Sequence, residues 1–213
     1  MRPTVGRIGV HMPVRDNGTM SFTTFALIRH GQTDWNAEAR IQGSTDIPLN
    51  GVGRGQARDA VAALPGNDWD VIVSSPLSRA AETADLIAAG LGLSVARRLP
   101  GLAERSYGLA EGMQDGPALD KIRIPGGFLE AETQESTALR GLATLEELAE
   151  EFHGGRVLVV AHGTLLRAAL SSALGSELGK IDNAALNLAH HHRTDGWKLE
   201  YFNGQWLVAA VRD

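Results

Sequence analysis

The sequence predicts an α/β fold: a three-layer sandwich with a mostly parallel central sheet, helices on both faces, and antiparallel strands closing its C-terminal edge. Three observations carry this. Short apolar runs at residues 25–28, 71–73 and 157–161 have the unbroken hydrophobicity of strands buried on both faces. Helical periodicity follows each run. Beyond residue 185 the pattern changes to short strands divided by the turn dipeptides Asp195-Gly196 and Asn203-Gly204.

Along the chain, residues 1–20 mix Gly, Pro, Arg and Asn without apolar periodicity and read as an extension ahead of a single domain at 21–213. Its arginines, Arg2, Arg7 and Arg15, fit a solvated tail. After the strand at 25–28, Asn50 opens a helical stretch whose buried side is Ala57, Ala60, Val61 and Leu64. Past residues 71–73, Ser74-Ser75-Pro76 reads as a capping serine with proline at the first helical position. Leu77, Ala80, Ala81, Ala84, Ile87 and Leu91 then form an apolar face that ends at Gly90 and Gly92. A helix is expected over 137–152, with Leu139, Leu142, Leu145, Leu148 and Phe152 as its stripe and Glu146, Glu147, Glu150 and Glu151 outward. Strands are expected at 157–161, 185–189, 197–201 and 206–211.

Composition narrows the chemistry. The chain has 213 residues, 43% of them hydrophobic, with 20 Lys+Arg against 25 Asp+Glu, a net charge of −5, and no cysteine. Disulfides, thiolate metal sites and cysteine nucleophiles are excluded together. The acidic balance offers no global field to a nucleic acid or an anionic membrane. Without a long apolar run or the apolar centre of a secretory signal, the expectation is a cytoplasmic protein with neither nucleic-acid nor membrane partners.

Two of the clearest strands run into a His-Gly pair, Arg29-His30-Gly31 and Ala161-His162-Gly163, and the third into Ser74-Ser75-Pro76-Leu77-Ser78-Arg79. Parallel strands bring their carboxyl ends to one edge, so Arg29, His30, Arg79 and His162 should gather there. Two guanidinium forks and two imidazoles suit a tetrahedral dianion, and a neutral imidazole is a nucleophile toward phosphorus. The scheme calls for no metal and no cofactor, because guanidinium groups supply the positive charge.

These segments resemble the histidine phosphatase superfamily, which includes cofactor-dependent phosphoglycerate mutases and many compact phosphatases. The resemblance covers residues 25–189. It is carried by Arg29-His30-Gly31-Gln32-Thr33-Asp34-Trp35-Asn36, Gln42-Gly43, Asp46-Ile47-Pro48-Leu49, Gly53-Arg54-Gly55-Gln56-Ala57, Ser74 to Ala80 with Thr83-Ala84, Leu102-Ala103-Glu104-Arg105, Tyr107-Gly108, Glu111-Gly112 and Ala161-His162-Gly163.

The resemblance implies that His30 is the phosphorylated nucleophile, Arg29 and Arg79 clamp phosphate, His162 donates to the phosphoryl oxygens, and Glu104 is the general acid. It further implies that Asn36, Gln42 and Gly43 line the phosphate pocket and that Arg105 and Tyr107 meet the rest of the substrate. The Gly163 amide, at a helix start, is a further donor. Glu132, eight residues before Arg140, matches a family segment weakly and reads as structural.

The expected activity is phosphomonoester hydrolysis of a small phosphorylated metabolite through phosphohistidine. A mutase using the same intermediate and a non-catalytic phosphoryl-binding module stay open. The short, glycine-rich segment between Glu104 and Glu132 favours the phosphatase, since glycolytic mutases of the family carry a longer insertion there. Lys121 and Arg123, in that segment, could reach a second anionic group but read more simply as surface residues. His190-His191-His192 could suggest a metal, yet three consecutive residues in an extended segment cannot all face one ion, and an exposed turn entry is the expectation. A homodimer through a sheet edge is compatible with the sequence.

Overall fold

The structure, a computed structural model, describes residues 22–207; the extension at 1–20 and residues 208–211 of the last expected strand lie outside the described residues. The central strand is β1 (Phe22–Arg29). It alternates its side chains between two cores: Phe25 and Leu27 join one, Ala26 and Ile28 the other. Strand β6 (Arg156–Ala161) does the same, with Val157, Val159 and Ala161 on the first side and Leu158 and Val160 on the second. Burial on both faces is why these runs read as continuous apolar sequence.

Seven strands form the main sheet in the order β3-β2-β6-β1-β7-β8-β9, where β2 is Val71–Ser74, β3 Arg97–Arg98, β7 Leu186–His192, β8 Gly196–Phe202 and β9 Gln205–Trp206. β3, β2, β6 and β1 are mutually parallel, and β7, β8 and β9 continue antiparallel from β1. Helices α5 (Gln134–Glu151) and α6 (Gly163–Leu174) supply Leu145, Leu148, Leu165 and Leu166 to the first core. Helices α2 (Gly51–Ala63) and α3 (Ser78–Leu91) supply Ala60, Ala80, Ala84 and Ile87 to the second. The three-layer α/β architecture is thus the one expected. A short helix α1 (Asp34–Ala37) follows β1, and a small helix α4 (Pro117–Asp120) precedes a separate hairpin of β4 (Arg123–Ile124) and β5 (Gly127–Phe128). Among the described residues, no helix is long and apolar enough to cross a membrane.

Asn50 caps α2, its Oδ1 accepting from the Gly53 amide at 2.9 Å, and Thr133 caps α5, its hydroxyl accepting from the Ser136 amide at 3.0 Å. Three local expectations are corrected. Helix α3 begins at Ser78 after Leu77, with no side-chain cap, because the Ser75 hydroxyl is engaged by His162 and by the Leu77 amide. Gly90 lies inside α3, where a Cβ would press to 2.8 Å from Val61 Cγ2, so it permits close packing on α2 and leaves Gly92, at φ +69°, to end the helix. Leu139 is 58% exposed, because the buried face of α5 runs through Thr137, Gly141, Leu145, Leu148 and Ala149.

His190, His191 and His192 are paired strand residues of β7, not a turn entry. His190 Nδ1 meets Thr24 Oγ1 at 3.2 Å and its Nε2 meets Glu200 at 3.0 Å.

Candidate active site

The carboxyl ends of β1, β2 and β6 bring together the four residues singled out by the strand ends. Arg29 closes β1 and His30 follows it; Arg79 is the second residue of α3; His162 is the cap of α6. The His30 and His162 rings stand 5.2 Å apart, and both residues are buried. A close backbone approach makes this possible. A Cβ on Gly31 would come within 2.9 Å of Gly53 Cα, so the chain leaving His30 lies directly on the start of α2. Thr83 ties the same turn to α3, accepting from the Gly31 amide at 3.1 Å and donating to the Arg79 carbonyl at 2.7 Å.

Hydrogen bonding sets the His30 tautomer. His30 Nδ1 lies 2.7 Å from the Gly31 carbonyl, which can only accept, so Nδ1 carries the proton and Nε2 keeps its lone pair. His162 Nε2 lies 2.7 Å from Ser75 Oγ. That oxygen also accepts from the Leu77 amide at 3.2 Å; in the tautomer with the proton on His162 Nδ1, the Ser75 O–H donates to Nε2 and Nδ1 is the ring's free donor. Burial, then Arg79 and the other neighbouring charges, hold both imidazoles well below the ordinary histidine pKa. Both rings are neutral at physiological pH.

The arginines are held by carbonyls. Arg29 Nη1 donates to Ile181 at 2.7 Å, while Arg79 Nη2 and Nη1 donate to Gly43 at 2.7 Å and Thr45 at 3.1 Å. Burial lowers the Arg79 pKa to about 10, and the group stays cationic at neutral pH. Gly163 matters here through its missing side chain: a Cβ would meet Arg29 Cδ and Nε at 3.2 Å, so the glycine lets the guanidinium lie against the start of α6. Four buried polar atoms in this cluster have no protein partner: Arg29 Nε, Arg79 Nε, Gln42 Nε2 and His162 Nδ1. A buried polar atom left unpaired is costly, and Arg29 Nε, Arg79 Nε and Gln42 Nε2 can only donate, so the cluster marks a place built for an acceptor-rich ligand.

Asn36 and Gln42 form one network. Gln42 Oε1 accepts from Thr33 Oγ1 at 3.0 Å and from Asn36 Nδ2 at 3.1 Å, which turns Gln42 Nε2 free; Gly43 contributes the carbonyl that holds Arg79. Glu104 sits at the start of α6. Its Oε1 accepts from the Arg105 and Leu165 amides, both at 2.9 Å, and its Oε2 from the Thr164 amide at 3.1 Å. Burial raises its pKa against those three bonds and Arg79.

Arg105 is bound up in the chain itself, donating to the Glu132 carbonyl at 2.7 Å and the Gly126 carbonyl at 3.2 Å, with its guanidinium carbon 5.1 Å from the centre of the Tyr107 ring. Tyr107 Oη meets Thr164 Oγ1 at 2.7 Å. Lys121 and Arg123 are exposed, and Arg123 lies over Phe128 beside Asp115 and Asp120.

Four residues take part in the site without having been singled out for it in the sequence. Asn183 Nδ2 donates to the His30 carbonyl and to Asn36 Oδ1, both at 3.1 Å. Arg140 pairs with Glu132 and donates to the Glu104 carbonyl at 3.1 Å. Ser75 and Thr83 stand in motif segments, but the partners that tie them to the site, His162 and the Gly31 amide, lie far along the chain.

The chain is similar to known proteins over most of its length. A phosphatase of Bacillus subtilis (strain 168), named PhoE and described as uncharacterized, is 38% identical over 187 residues, covering 85% of this chain and 94% of its own. A metal-independent phosphoserine phosphatase of Arabidopsis thaliana is 36% identical over 205 residues, covering 89% and 84%. The structure of a mycobacterial glucosyl-3-phosphoglycerate phosphatase in complex with VO3 superposes with a TM-score of 0.75 at 29% identity, covering 85% of this chain and 99% of that one. A family model described as histidine phosphatase superfamily, branch 1, matches residues 25–213. With that span reaching from the strand before His30 past the last described residue, the chain belongs to the histidine phosphatase superfamily.

Proposed function

We propose that this chain is a phosphomonoester hydrolase that acts through a phosphohistidine on a small phosphorylated metabolite in the cytoplasm, without metal or cofactor. The observation that carries the reading is the set of four unpaired buried atoms around His30. His30 Nε2 donates its lone pair to phosphorus, the N–P bond forms, and the P–O bond to the leaving oxygen breaks. Arg29, Arg79, Gln42 and His162 meet the phosphoryl oxygens as charge shifts among them.

Glu104 gives the leaving oxygen its proton. Oε1 already accepts two amide bonds and Oε2 only one, so Oε2 is the atom with room for that proton. In the second half-reaction the Glu104 carboxylate takes a proton from water, the water oxygen bonds to phosphorus, and the N–P bond breaks, returning neutral His30. Asn36 orients Gln42, and Gly163 seats Arg29. Tyr107 borders the route to the rest of the substrate, with Arg105 securing the wall beside it. Names of relatives support the class: they act on phosphoserine and on glucosyl-3-phosphoglycerate.

Incubation with an aryl phosphate should label His30 with a phosphoryl group in the presence of chelator, and His30→Ala should abolish turnover. Retained turnover in that variant, or loss of activity with chelator, would overturn the mechanism. Isomerisation of 2- and 3-phosphoglycerate faster than phosphate release would overturn hydrolysis in favour of a mutase.

A further inference from the structure

We infer that Glu111 is a positioning residue that aims Arg79 at the phosphoryl group through the loop at residues 43–45. The inference rests on the phosphoryl reading above, and it concerns a carboxylate to which that chemistry assigns no task. Glu111 accepts five hydrogen bonds: the Ser44 amide at 2.8 Å and hydroxyl at 3.0 Å, the Thr45 amide at 2.7 Å, the Thr45 hydroxyl, and the Tyr107 amide at 3.0 Å. So many donors on one half-exposed carboxylate are more than a surface glutamate needs to remain solvated.

Two of the three amides it holds belong to Ser44 and Thr45, whose flanking carbonyls, Gly43 and Thr45, are the ones that take Arg79 Nη2 and Nη1. With both terminal nitrogens so anchored, the plane of the guanidinium is set, and Arg79 Nε remains the buried nitrogen without a partner. Gly43 shows how closely the parts fit, since a Cβ there would come within 2.9 Å of Glu111 Cδ. Asp46 fastens the far end of the same loop to α3, accepting from the Ser78 amide and hydroxyl, both at 2.8 Å. The loop is therefore clamped at one end to the helix bearing Arg79 and at the other to Glu111.

A guanidinium that must follow charge on the equatorial oxygens loses most when its plane is turned, and that loss belongs to the transition state. Glu111→Ala should lower kcat for an aryl phosphate at least tenfold while KM changes less than threefold. The decisive measurement repeats the substitution in an Arg79→Lys background. Lysine keeps a cation but has no fork to lay across two carbonyls, so there Glu111→Ala should cost less than twofold. An equal factor in both backgrounds, or a loss carried by KM alone, would overturn the inference. If Glu111→Ala does not fold, as judged by circular dichroism, Glu111→Gln is read in the same cycle. Vanadate inhibition of the wild-type chain tests the underlying phosphoryl chemistry separately, and its absence would remove that reading whatever the cycle shows.

Discussion

Replacing Glu104 by glutamine tests the proton assignment most directly. The substitution keeps the shape but removes the transferable proton. General acid catalysis contributes about 10²–10⁴-fold, or about 3–5 kcal/mol of barrier at 1.36 kcal/mol per decade. The full factor applies only to a leaving group that needs protonation. With an alkyl phosphate, kcat/KM of Glu104→Gln, which reports the phosphorylation half-reaction and not the water attack that Glu104 also assists, should fall by about a thousandfold, whereas with p-nitrophenyl phosphate, whose phenolate leaves unassisted, it should fall less than about tenfold.

The structure adds a second consequence. A glutamine oxygen at the Oε1 position keeps the Arg105 and Leu165 amides, but its NH2 then faces the Thr164 amide, donor against donor. Leaving such a buried pair unsatisfied costs about 1–3 kcal/mol. In a chain of this size that lowers Tm by about 2–4 °C per kcal/mol. Steady-state rates on the two substrates, with a melting curve for each protein, separate the effects. An equal loss of kcat/KM on both substrates would refute Glu104 as the proton donor.

Two further outcomes follow from the packing and charges. Arg140 holds Glu132 down to a pKa of about 2 against an ordinary 4.5, so the pair stabilises the fold above pH 4.5 and that contribution is lost as the pH falls toward 2. The Tm gap between wild type and Glu132→Gln should therefore be present at pH 6 and close toward pH 2; a gap independent of pH would contradict the assignment. Gly53→Ala would drive a Cβ to 2.7 Å from the Gln32 backbone nitrogen, costing about 1–3 kcal/mol and disturbing the turn after His30, so kcat should fall with Tm. Gly55→Ala, in the same helix with nothing within 4 Å, should instead stabilise by up to about 1 kcal/mol and leave kcat unchanged.

Strands buried on both faces were readable because burial removes the alternation that surface strands show, and β1 and β6 supply both cores in turn. The paired His-Gly strand ends were readable because topology alone carries them to one edge. What stayed hidden depends on partners distant in sequence. The start of α3 was misplaced because Ser75, a good cap by local rules, spends its hydroxyl on His162, 87 residues away. Strand β7 absorbed three histidines because pairing with both β1 and β8 overrides their weak strand preference. Asn183 reaches His30 across 153 positions, and no local pattern marks it. The carbonyls of Glu132 and Gly126 that hold Arg105 Nε and Nη2 lie 27 and 21 positions away, so its anchoring too was invisible to local reading.

The way the two site arginines are anchored has a consequence for inhibition. A guanidinium tethered by a carboxylate would have its charge cancelled at the source, and an incoming oxyanion would have to compete with that counter-ion. Ile181, Gly43 and Thr45 offer only neutral dipoles, so Arg29 and Arg79 retain their full charge inside a low-dielectric recess. Such a recess discriminates by shape and valence more than by identity. Sulfate, tungstate and product phosphate should all compete with substrate, and, because Arg79 is buried and Arg29 partly so, added monovalent salt should screen that competition far less than it screens surface pairs such as Arg98–Asp85.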